Sequence, residues 1–264
     1  MDYQTRSKAS VGLETLWGNR VDMALERLRL FEPADGYYLA FSGGKDSQVI
    51  YHLAKEAGVR FDAHFSVTTV DPPELLPFIR EHYPDVIWER PKKSMFRLIV
   101  DHGTMPTRVI RFCCDALKED KGGGRLVMTG IRWQESNARA KRTMVESCYK
   151  DKGKTYLHPI IDWSTEDVWS YLTGLGVPHC GLYDEGRARI GCVMCPMVGA
   201  KRQRAEALRW PRIAHMYRQA AERAWQRRAA KGDALVWDSG QALYDWWLSD
   251  RIAEANDEQL SMFE

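Results

Sequence analysis

The stretch that decides the fold spans residues 42–47 and reads Ser42-Gly43-Gly44-Lys45-Asp46-Ser47. It follows a run that predicts a buried strand, Tyr37-Tyr38-Leu39-Ala40-Phe41. Residues 48–58 then carry apolar positions at helical spacing and end in a glycine. Two glycines let the backbone approach a ligand, and the first-turn N–H groups of a helix lack intrahelical partners. This turn therefore predicts an anion site, above all for phosphate, with added hydroxyls from Ser42 and Ser47 and a charge from Lys45.

The motif does not follow the pattern G-x-x-x-x-G-K-[ST] of the common nucleoside-triphosphate loop. It resembles the pyrophosphate loop (PP-loop) of the adenine-nucleotide alpha hydrolases, which include ATP pyrophosphatases and sulfonucleotide (PAPS/APS) reductases. An ordinary glycine turn that opens a helix is the alternative interpretation. The resemblance implies an α/β fold of Rossmann-like, HUP-type architecture, with a parallel sheet flanked by helices.

The order of predicted elements agrees with such a fold. Residues 37–67 predict strand, loop, helix and strand, a βαβ unit that implies a parallel sheet. From residue 200 onward the chain is helical and basic, and it ends in a Trp-rich helix predicted over 238–250. We predict three segments: an N-terminal helix in 1–34 (amphipathic over 11–31), a PP-loop domain carrying the cysteines in 35–198, and a mostly helical C-terminal extension in 199–264.

Ligand contacts are predicted where strands end, because open α/β sheets bind ligands at the carboxyl ends of their strands. Asp71 follows the second strand and either faces the nucleotide or caps the next helix. Gly130 ends a strand over 125–131, and Arg132 supplies a guanidinium fork for phosphate or sulfate. The adenine is expected near Leu39 and Gly130. The predicted nucleotide-binding set is Leu39, Ser42, Gly43, Gly44, Lys45, Asp46, Ser47, Asp71, Gly130 and Arg132, of which Lys45, Asp46 and Arg132 are the predicted catalytic residues.

Six cysteines in a chain with no apolar signal core suggest metal binding or catalysis in a reducing compartment rather than disulfides. Adjacent Cys113 and Cys114 open a predicted helix, whose N-terminus stabilises thiolate. Cys192 and Cys195 form a C-x-x-C pair. A set of four sulfurs is typical of zinc or an iron–sulfur cluster, and spacing alone leaves both open. Cys180 is an alternative fourth ligand, a sulfur carrier near the site or a buried structural thiol.

Four stretches together resemble the PAPS reductase family and appear in that family's order. They are Ser-Gly-Gly-Lys-Asp-Ser, Cys-Cys-Asp-Ala-Leu-Lys, Gly-Ile-Arg-Trp-Gln-Glu-Ser and Arg-Ile-Gly-Cys-Val-Met-Cys-Pro. The cysteine pattern is similar to the [4Fe–4S] pattern of the APS-reducing branch, in which a lysine, here Lys118, follows the second cysteine by four residues. It also looks like that of iron–sulfur sulfur-transfer relatives, including DNA phosphorothioation proteins. The resemblance therefore implies a [4Fe–4S] cluster at Cys113, Cys114, Cys192 and Cys195.

Two departures from the reductases shape the predicted function. The given sequence has no cysteine after Cys195, whereas reductases carry a nucleophilic cysteine in a C-terminal motif. Thr-Thr-Val-Asp also replaces their usual Asp-Thr-Gly after the second strand. We therefore predict a sulfurtransferase that uses ATP and Mg²⁺ to adenylate a substrate. The alternatives are a PAPS/APS reductase with Cys180 as nucleophile, and a cluster-bearing nucleotide or nucleic-acid sensor that is not an enzyme.

Charge and composition add expectations about partners. The 264 residues are 44% hydrophobic and 28% charged, as in soluble globular proteins, and no apolar run is long enough to span a bilayer. We expect a cytoplasmic protein that uses a sulfur donor such as a cysteine desulfurase; a homodimer is compatible with the sequence. Residues 187–231 hold twelve Lys and Arg against two acidic residues. This basic region predicts DNA or RNA binding, or else a solvated helix paired with the acidic tail.

Overall fold

The computed structural model describes residues 20–148 and 153–249, which form two compact units. The first unit contains residues 20–66, 74–89, 121–148 and 153–190. The second unit contains residues 67–73, 90–120 and 191–249. Each unit is therefore assembled from several stretches of chain, in contrast to the linear segments predicted from the sequence.

The first unit is built on a six-stranded, mostly parallel sheet. Its strands are β1 (Tyr37–Phe41), β2 (Phe61–Ser66), β3 (Ile87–Glu89), β4 (Leu126–Met128), β5 (Val145–Ser147) and β6 (Thr155–Leu157). Their order in the sheet is β3-β2-β1-β4-β6-β5, and only β5 runs antiparallel to its neighbour. The chain proceeds from β1 toward one edge and returns to the other side of β1 with β4. This reversal creates a switch point between β1 and β4, where α/β sheets bind ligands.

The described residues of this unit form the α-helices α1 (Arg20–Leu30), α2 (Lys45–Ala57), α3 (Leu75–His82) and α6 (Thr165–Gly174). Helix α2 buries an apolar stripe that includes Val49, Ile50 and Leu53, and it ends at Gly58 in the left-handed conformation. Helix α6 begins with a capping box in which Ser164 and Asp167 bond to each other's backbone N–H groups. The parallel, helix-flanked sheet confirms the predicted Rossmann-like fold class.

Some elements differ from the sequence prediction. Strand β5 was not predicted, because three residues of alternating exposure give no clear strand signal. The predicted N-terminal helix over 11–31 is described from Arg20 only, so its first part lies outside the described residues. The acidic tail from Asp233 to the end, given as the alternative partner of the basic helix, is described only as far as residue 249.

The second unit is helical among its described residues. It contains α4 (Met95–His102), the short α5 (Phe112–Cys114), α7 (Ala200–Arg209), α8 (Pro211–Ala230) and α9 (Gly240–Trp247). Helices α8 and α9 pack closely, and a Cβ added at Gly240 would lie 2.2 Å from the Cα of Glu222. Trp247 is fully buried and its indole N–H donates to the carbonyl of Pro106 at 2.6 Å. The predicted helical C-terminal region is present, although its last helix is shorter than expected.

Within the described residues, no helix is both long and apolar enough to cross a membrane.

Buried histidines in the first unit predict acid sensitivity. Burial of the imidazole lowers the pKa of His158 from 6.5 to about 4, and the positive charge of the Arg142 guanidinium is the second cause. Between these two pH values the unfolded chain binds a proton at this histidine and the folded protein does not. The free energy of unfolding therefore falls as the pH drops from 6.5 to 4. We expect a loss of up to about 3 kcal/mol from this residue. In thermal unfolding between these pH values, His158→Gln should flatten the pH dependence; an unchanged slope would contradict the assignment.

Candidate functional site

A cavity of about 160 Å³ lies at the switch point of the sheet, at the carboxyl ends of β1 and β4. Its walls come from the PP-loop, from the turn after β4 and from residues 183–190, all within the first unit. The lining residues include Ala40, Ser42, Asp46, Gly130, Arg139 and Tyr183. The position is the one that the sequence predicts for a phosphate-bearing ligand.

The PP-loop is held open by its own hydroxyls. Ser47 Oγ donates to the Gly44 carbonyl at 2.8 Å and accepts from the backbone N–H of Ser42 at 3.1 Å. Gly44 occupies the N-cap position of α2 and provides no side-chain cap for the first turn. The N-terminus of this 13-residue helix therefore faces the cavity with its positive dipole end, and its N-cap residue bonds none of the first-turn N–H groups.

Gly43 is required by the loop for two reasons. Its φ of +69° is left-handed, and an added Cβ would lie 2.8 Å from the side chains of Ile79 and Leu75. Gly43→Ala should therefore destabilise the protein by about 2–4 kcal/mol, since left-handed strain and overpacking add. Gly58 is a matched control because it has a φ of +72° at the other end of α2 and nothing within 4 Å of an added Cβ.

For Gly58→Ala we expect only the backbone strain of about 1 kcal/mol. Urea unfolding of both variants measures the difference. Equal destabilisation of the two variants would show that the packing of the PP-loop against α3 contributes nothing.

Lys45 is directed away from open solvent. Its ammonium group donates to the carbonyl of Ala188 at 3.1 Å and lies 3.2 Å from a carboxylate oxygen of Asp46. Its backbone N–H, in the first turn of α2, donates to the hydroxyl of Tyr183 at 2.8 Å. Tyr183 was not predicted as a site residue, because its place in the sequence gives no sign that it contacts the PP-loop. The loop and residues 183–188 therefore share one hydrogen-bonded network.

Arg132 and Asp46 form a buried ion pair beside the cavity. The Arg132 side chain is only 2% exposed, and its Nε donates to Asp46 Oδ1 at 2.7 Å. The same guanidinium donates to the carbonyl of Trp163 at 3.2 Å. Arg132 was predicted to bind phosphate, but the structure places it against Asp46, the first-turn carboxylate of α2. In this arrangement Arg132 orients the start of the helix.

Gly130 brings β4 into direct contact with the PP-loop helix. A Cβ at this position would lie 2.8 Å from the carbonyl oxygen of Asp46 and 2.9 Å from its carbonyl carbon. Gly130 also lines the cavity. Any larger residue must therefore displace the backbone at the start of α2.

Two other predicted nucleotide contacts lie elsewhere. Leu39 is fully buried within β1, and its neighbour Ala40 lines the cavity instead. Asp71 belongs to the second unit, where its carboxylate accepts from the backbone N–H of Thr68 at 2.8 Å and from its hydroxyl at 2.7 Å. Asp71 thus closes a local turn, and the helix cap is Glu74.

The predicted metal cysteines all lie in the second unit. Cys113 and Cys114 occupy α5, which continues into a single π-helical turn over Asp115–Glu119. A hydrogen bond from Cys113, with help from the Arg111 guanidinium, lowers the pKa of Cys114, and the same bond raises the pKa of Cys113. A π-turn at this point is not apparent from the sequence, and such turns occur often at functional sites.

Cys192 and Cys195 lie in the same electrostatic neighbourhood as this pair. Thiolates at Cys114, Cys192 and Cys195 each contribute to the raised pKa of Cys113. The pKa of Lys118 is raised as well, chiefly by Cys192. Among residues 20–148 and 153–249, no three His, Cys, Asp or Glu side chains have an arrangement that could hold a metal ion. The four sulfurs thus have the chemistry of a zinc or iron–sulfur ligand set, but the structure does not arrange them as metal ligands.

Cys180, the alternative ligand or sulfur carrier, lies in the first unit. It is 1% exposed, and burial raises the pKa of its thiol. A buried thiol with a raised pKa is a poor nucleophile.

Residues 36–198 match the model of the phosphoadenosine phosphosulfate reductase domain. The chain therefore belongs to the PAPS reductase family, as the four sequence stretches predicted.

Two sequence relatives and one solved structure are similar to this chain. The chain is 30% identical over 198 residues to adenosine 5′-phosphosulfate reductase of Streptomyces coelicolor, covering 71% of this chain and 83% of the relative. It is 32% identical over 171 residues to an uncharacterised protein of Methanocaldococcus jannaschii, covering 60% of this chain but only 35% of that relative. The structure of PAPS reductase from Candida auris, a phosphate complex, has a TM-score of 0.48 and 20% identity, covering 64% and 87% of the two chains.

Proposed function

We propose that this protein is an ATP-dependent sulfurtransferase of the PAPS reductase family, which adenylates an acceptor before sulfur is transferred to it. The main support is the N-terminus of α2, which follows a glycine N-cap without a capping side chain and faces a cavity at the switch point of the sheet. A phosphate chain is the ligand that this combination of dipole, glycine turn and hydroxyls stabilises best. The four-cysteine set of the second unit adds the sulfur chemistry to the proposal.

In the first step, an acceptor oxygen attacks the α-phosphorus of ATP. A new P–O bond forms, the bond between the α-phosphorus and its bridging oxygen breaks, and pyrophosphate leaves with that oxygen. The first-turn N–H groups and the Ser42 and Ser47 hydroxyls bind the departing phosphates. Arg132 holds Asp46, and so the helix start, in place. Mg²⁺, when bound, would neutralise charge on the phosphate oxygens. In the second step, a sulfur nucleophile displaces AMP from the acceptor.

Cys113, Cys114, Cys192 and Cys195 are the residues that would hold a [4Fe–4S] cluster, or zinc as the alternative. All four lie in one unit, and their thiolates act on one another. Lys118 places a cation beside them, which offsets negative charge at a thiolate-bound metal. A cluster would supply a site that binds and polarises sulfur. Iron and acid-labile sulfide measured in anaerobically purified protein, with Cys192→Ser as the comparison, test this part of the proposal.

The acceptor is proposed to be a nucleic acid. Helices α7 and α8 expose cationic side chains, among them Lys201, Arg212 and Arg223. A polyanion bound there would release counterions, so its affinity should fall steeply with salt. Fluorescence anisotropy with DNA and RNA oligonucleotides at several salt concentrations measures this effect. A sulfur donor such as a cysteine desulfurase would supply the sulfur for the second step.

Reduction of a sulfonucleotide is the second candidate. It is favoured by the match to a Streptomyces coelicolor relative named adenosine 5′-phosphosulfate reductase, of which 83% is covered. It would require a nucleophilic thiol, and the burial and raised pKa of Cys180 argue against that residue in this role.

Pyrophosphate release and nucleotide competition separate the two candidates. The proposed function predicts that ATP outcompetes PAPS and APS and that pyrophosphate forms in the presence of a nucleic-acid acceptor. Release of sulfite from PAPS or APS, lost in Cys180→Ser, would establish the reductase instead. Absence of both products with retained nucleic-acid binding would indicate a sensor.

A further inference from the structure

The turn between Cys192 and Cys195 is held by the side chains of the two helices that follow it. Its two central residues are Val193 and Met194, both fully buried. Buried backbone groups must find partners, because an unpaired N–H or C=O loses its hydrogen bond to water. The four backbone groups of these residues are all bonded, and three of the four partners are side chains from α7 and α8.

Helix α7 bonds both backbone groups of Met194. The carboxylate of Glu206 accepts from the Met194 N–H at 2.6 Å, and Gln203 Nε2 donates to the Met194 carbonyl at 3.0 Å. Both side chains are buried, with residue exposures of 3% for Glu206 and 1% for Gln203. Arg202 Nε donates to the second oxygen of Glu206 at 3.0 Å. The carboxylate is thus buried with both oxygens engaged.

The backbone of Val193 forms hydrogen bonds with helix α8 and with the segment after β2. The hydroxyl of Tyr217 donates to the Val193 carbonyl at 3.2 Å, and the Val193 N–H donates to the carbonyl of Val70 at 2.8 Å. Met194 has a φ of +58°, which is unusual for a residue with a side chain. Such a conformation persists only where surrounding contacts over-determine it.

We propose that Glu206, Gln203 and Tyr217 form a clamp that presets the Cys192–Cys195 turn, so that both thiols are positioned before a metal or cluster binds. Glu206 and Glu222 are the two acidic residues of the basic stretch 187–231, and Glu206 points into the protein at the turn. The inference rests on the proposed function only in treating the thiols as metal ligands. It gives α7 a positioning role that the predicted nucleic-acid binding does not include.

Cobalt binding to the full-length apoprotein tests the clamp, with Co²⁺ alone as the probe under anaerobic conditions. Removing a residue that orients a metal ligand typically weakens metal binding about 10- to 100-fold. We expect this loss in Glu206→Ala, measured by the thiolate-to-cobalt absorption band. Glu206→Gln keeps an acceptor for the Met194 N–H and should restore most of the affinity. Leu208→Ala is the matched control, because Leu208 lies on the same helix and is 85% exposed.

Hydrogen exchange of the peptide that contains Met194 decides the clamp independently of metal. Faster exchange in Glu206→Ala, with parental exchange in Glu206→Gln and Leu208→Ala, supports it. Tyr217→Phe is a second variant, which retains the ring and should loosen the turn if Glu206→Ala does not fold. Parental exchange and parental cobalt affinity in the Ala and Phe variants would overturn the clamp. If the unsubstituted protein binds no cobalt, the metal part of the proposed function fails, and the exchange data still decide the clamp.

Discussion

Gly130→Ala is expected to reduce adenine-nucleotide binding by up to about 100-fold. The added Cβ would lie 2.8 Å from the Asp46 carbonyl oxygen, and the obstacle is backbone rather than a flexible side chain. The start of α2 or the turn after β4 must therefore move by several tenths of an ångström. Misplacing groups that bind and orient a reacting phosphate by about 1 Å costs on the order of 100-fold.

Gly174→Ala is the matched control for this experiment. Gly174 lies in α6 of the same unit, and nothing lies within 4 Å of an added Cβ. Alanine there should leave nucleotide binding unchanged and raise the stability by up to about 1 kcal/mol, since glycine is a poor helix former. Isothermal titration with ATP measures both variants. Parental affinity in Gly130→Ala would show that the phosphates do not bind at the junction of α2 and β4.

Asp46→Ala is expected to lower the free energy of unfolding by about 3–5 kcal/mol. It leaves the Arg132 guanidinium, 2% exposed, without its carboxylate, and an uncompensated buried charge is costly. The same substitution removes a carboxylate from the nearby Lys45 ammonium, which keeps its hydrogen bond to the Ala188 carbonyl. The loss should appear in urea unfolding as a lower midpoint with little change in slope.

An exposed ion pair made by a lysine of the same helix is the control for Asp46. Lys55 lies 3.4 Å from Asp85, and their side chains are 39% and 53% exposed. Lys55→Met should cost less than about 1 kcal/mol, because solvent screens such pairs. The double variant Asp46→Ala/Arg132→Met should be less destabilised than the sum of its single variants, since the second change removes the orphaned charge. Additive losses would contradict a coupled pair.

The sequence predicted the fold because local signals and topology agree in this chain. Strand, glycine loop and helix follow one another in residues 37–58, and the βαβ arrangement leaves little choice of handedness or sheet type. The cysteine set was also apparent, since residue identity alone marks candidate ligands. Strand β5 was missed because its three residues carry too little periodicity to be recognised.

Long-range contacts between side chains were the part that the sequence did not predict. Tyr183 bonds the backbone of Lys45 across 138 positions, and Arg132 reaches Asp46 across 86. Motif reading assigned Lys45 and Arg132 to the ligand, whereas both cations contact protein groups in the structure. One sequence feature could have indicated the clamp. Glu206 is an acidic residue within a basic stretch, and a solvent-exposed basic surface does not require a carboxylate at that position.

The most direct test of the account is a crystal structure of the full chain with a nonhydrolysable ATP analogue and Mg²⁺. If the phosphates bind at the start of α2 as proposed, their oxygens will lie within hydrogen-bond distance of the first-turn N–H groups and of the Ser42 or Ser47 hydroxyls. The Arg132–Asp46 pair will be intact. A nucleotide bound elsewhere, with the cavity between the ends of β1 and β4 free of phosphate, would contradict the account.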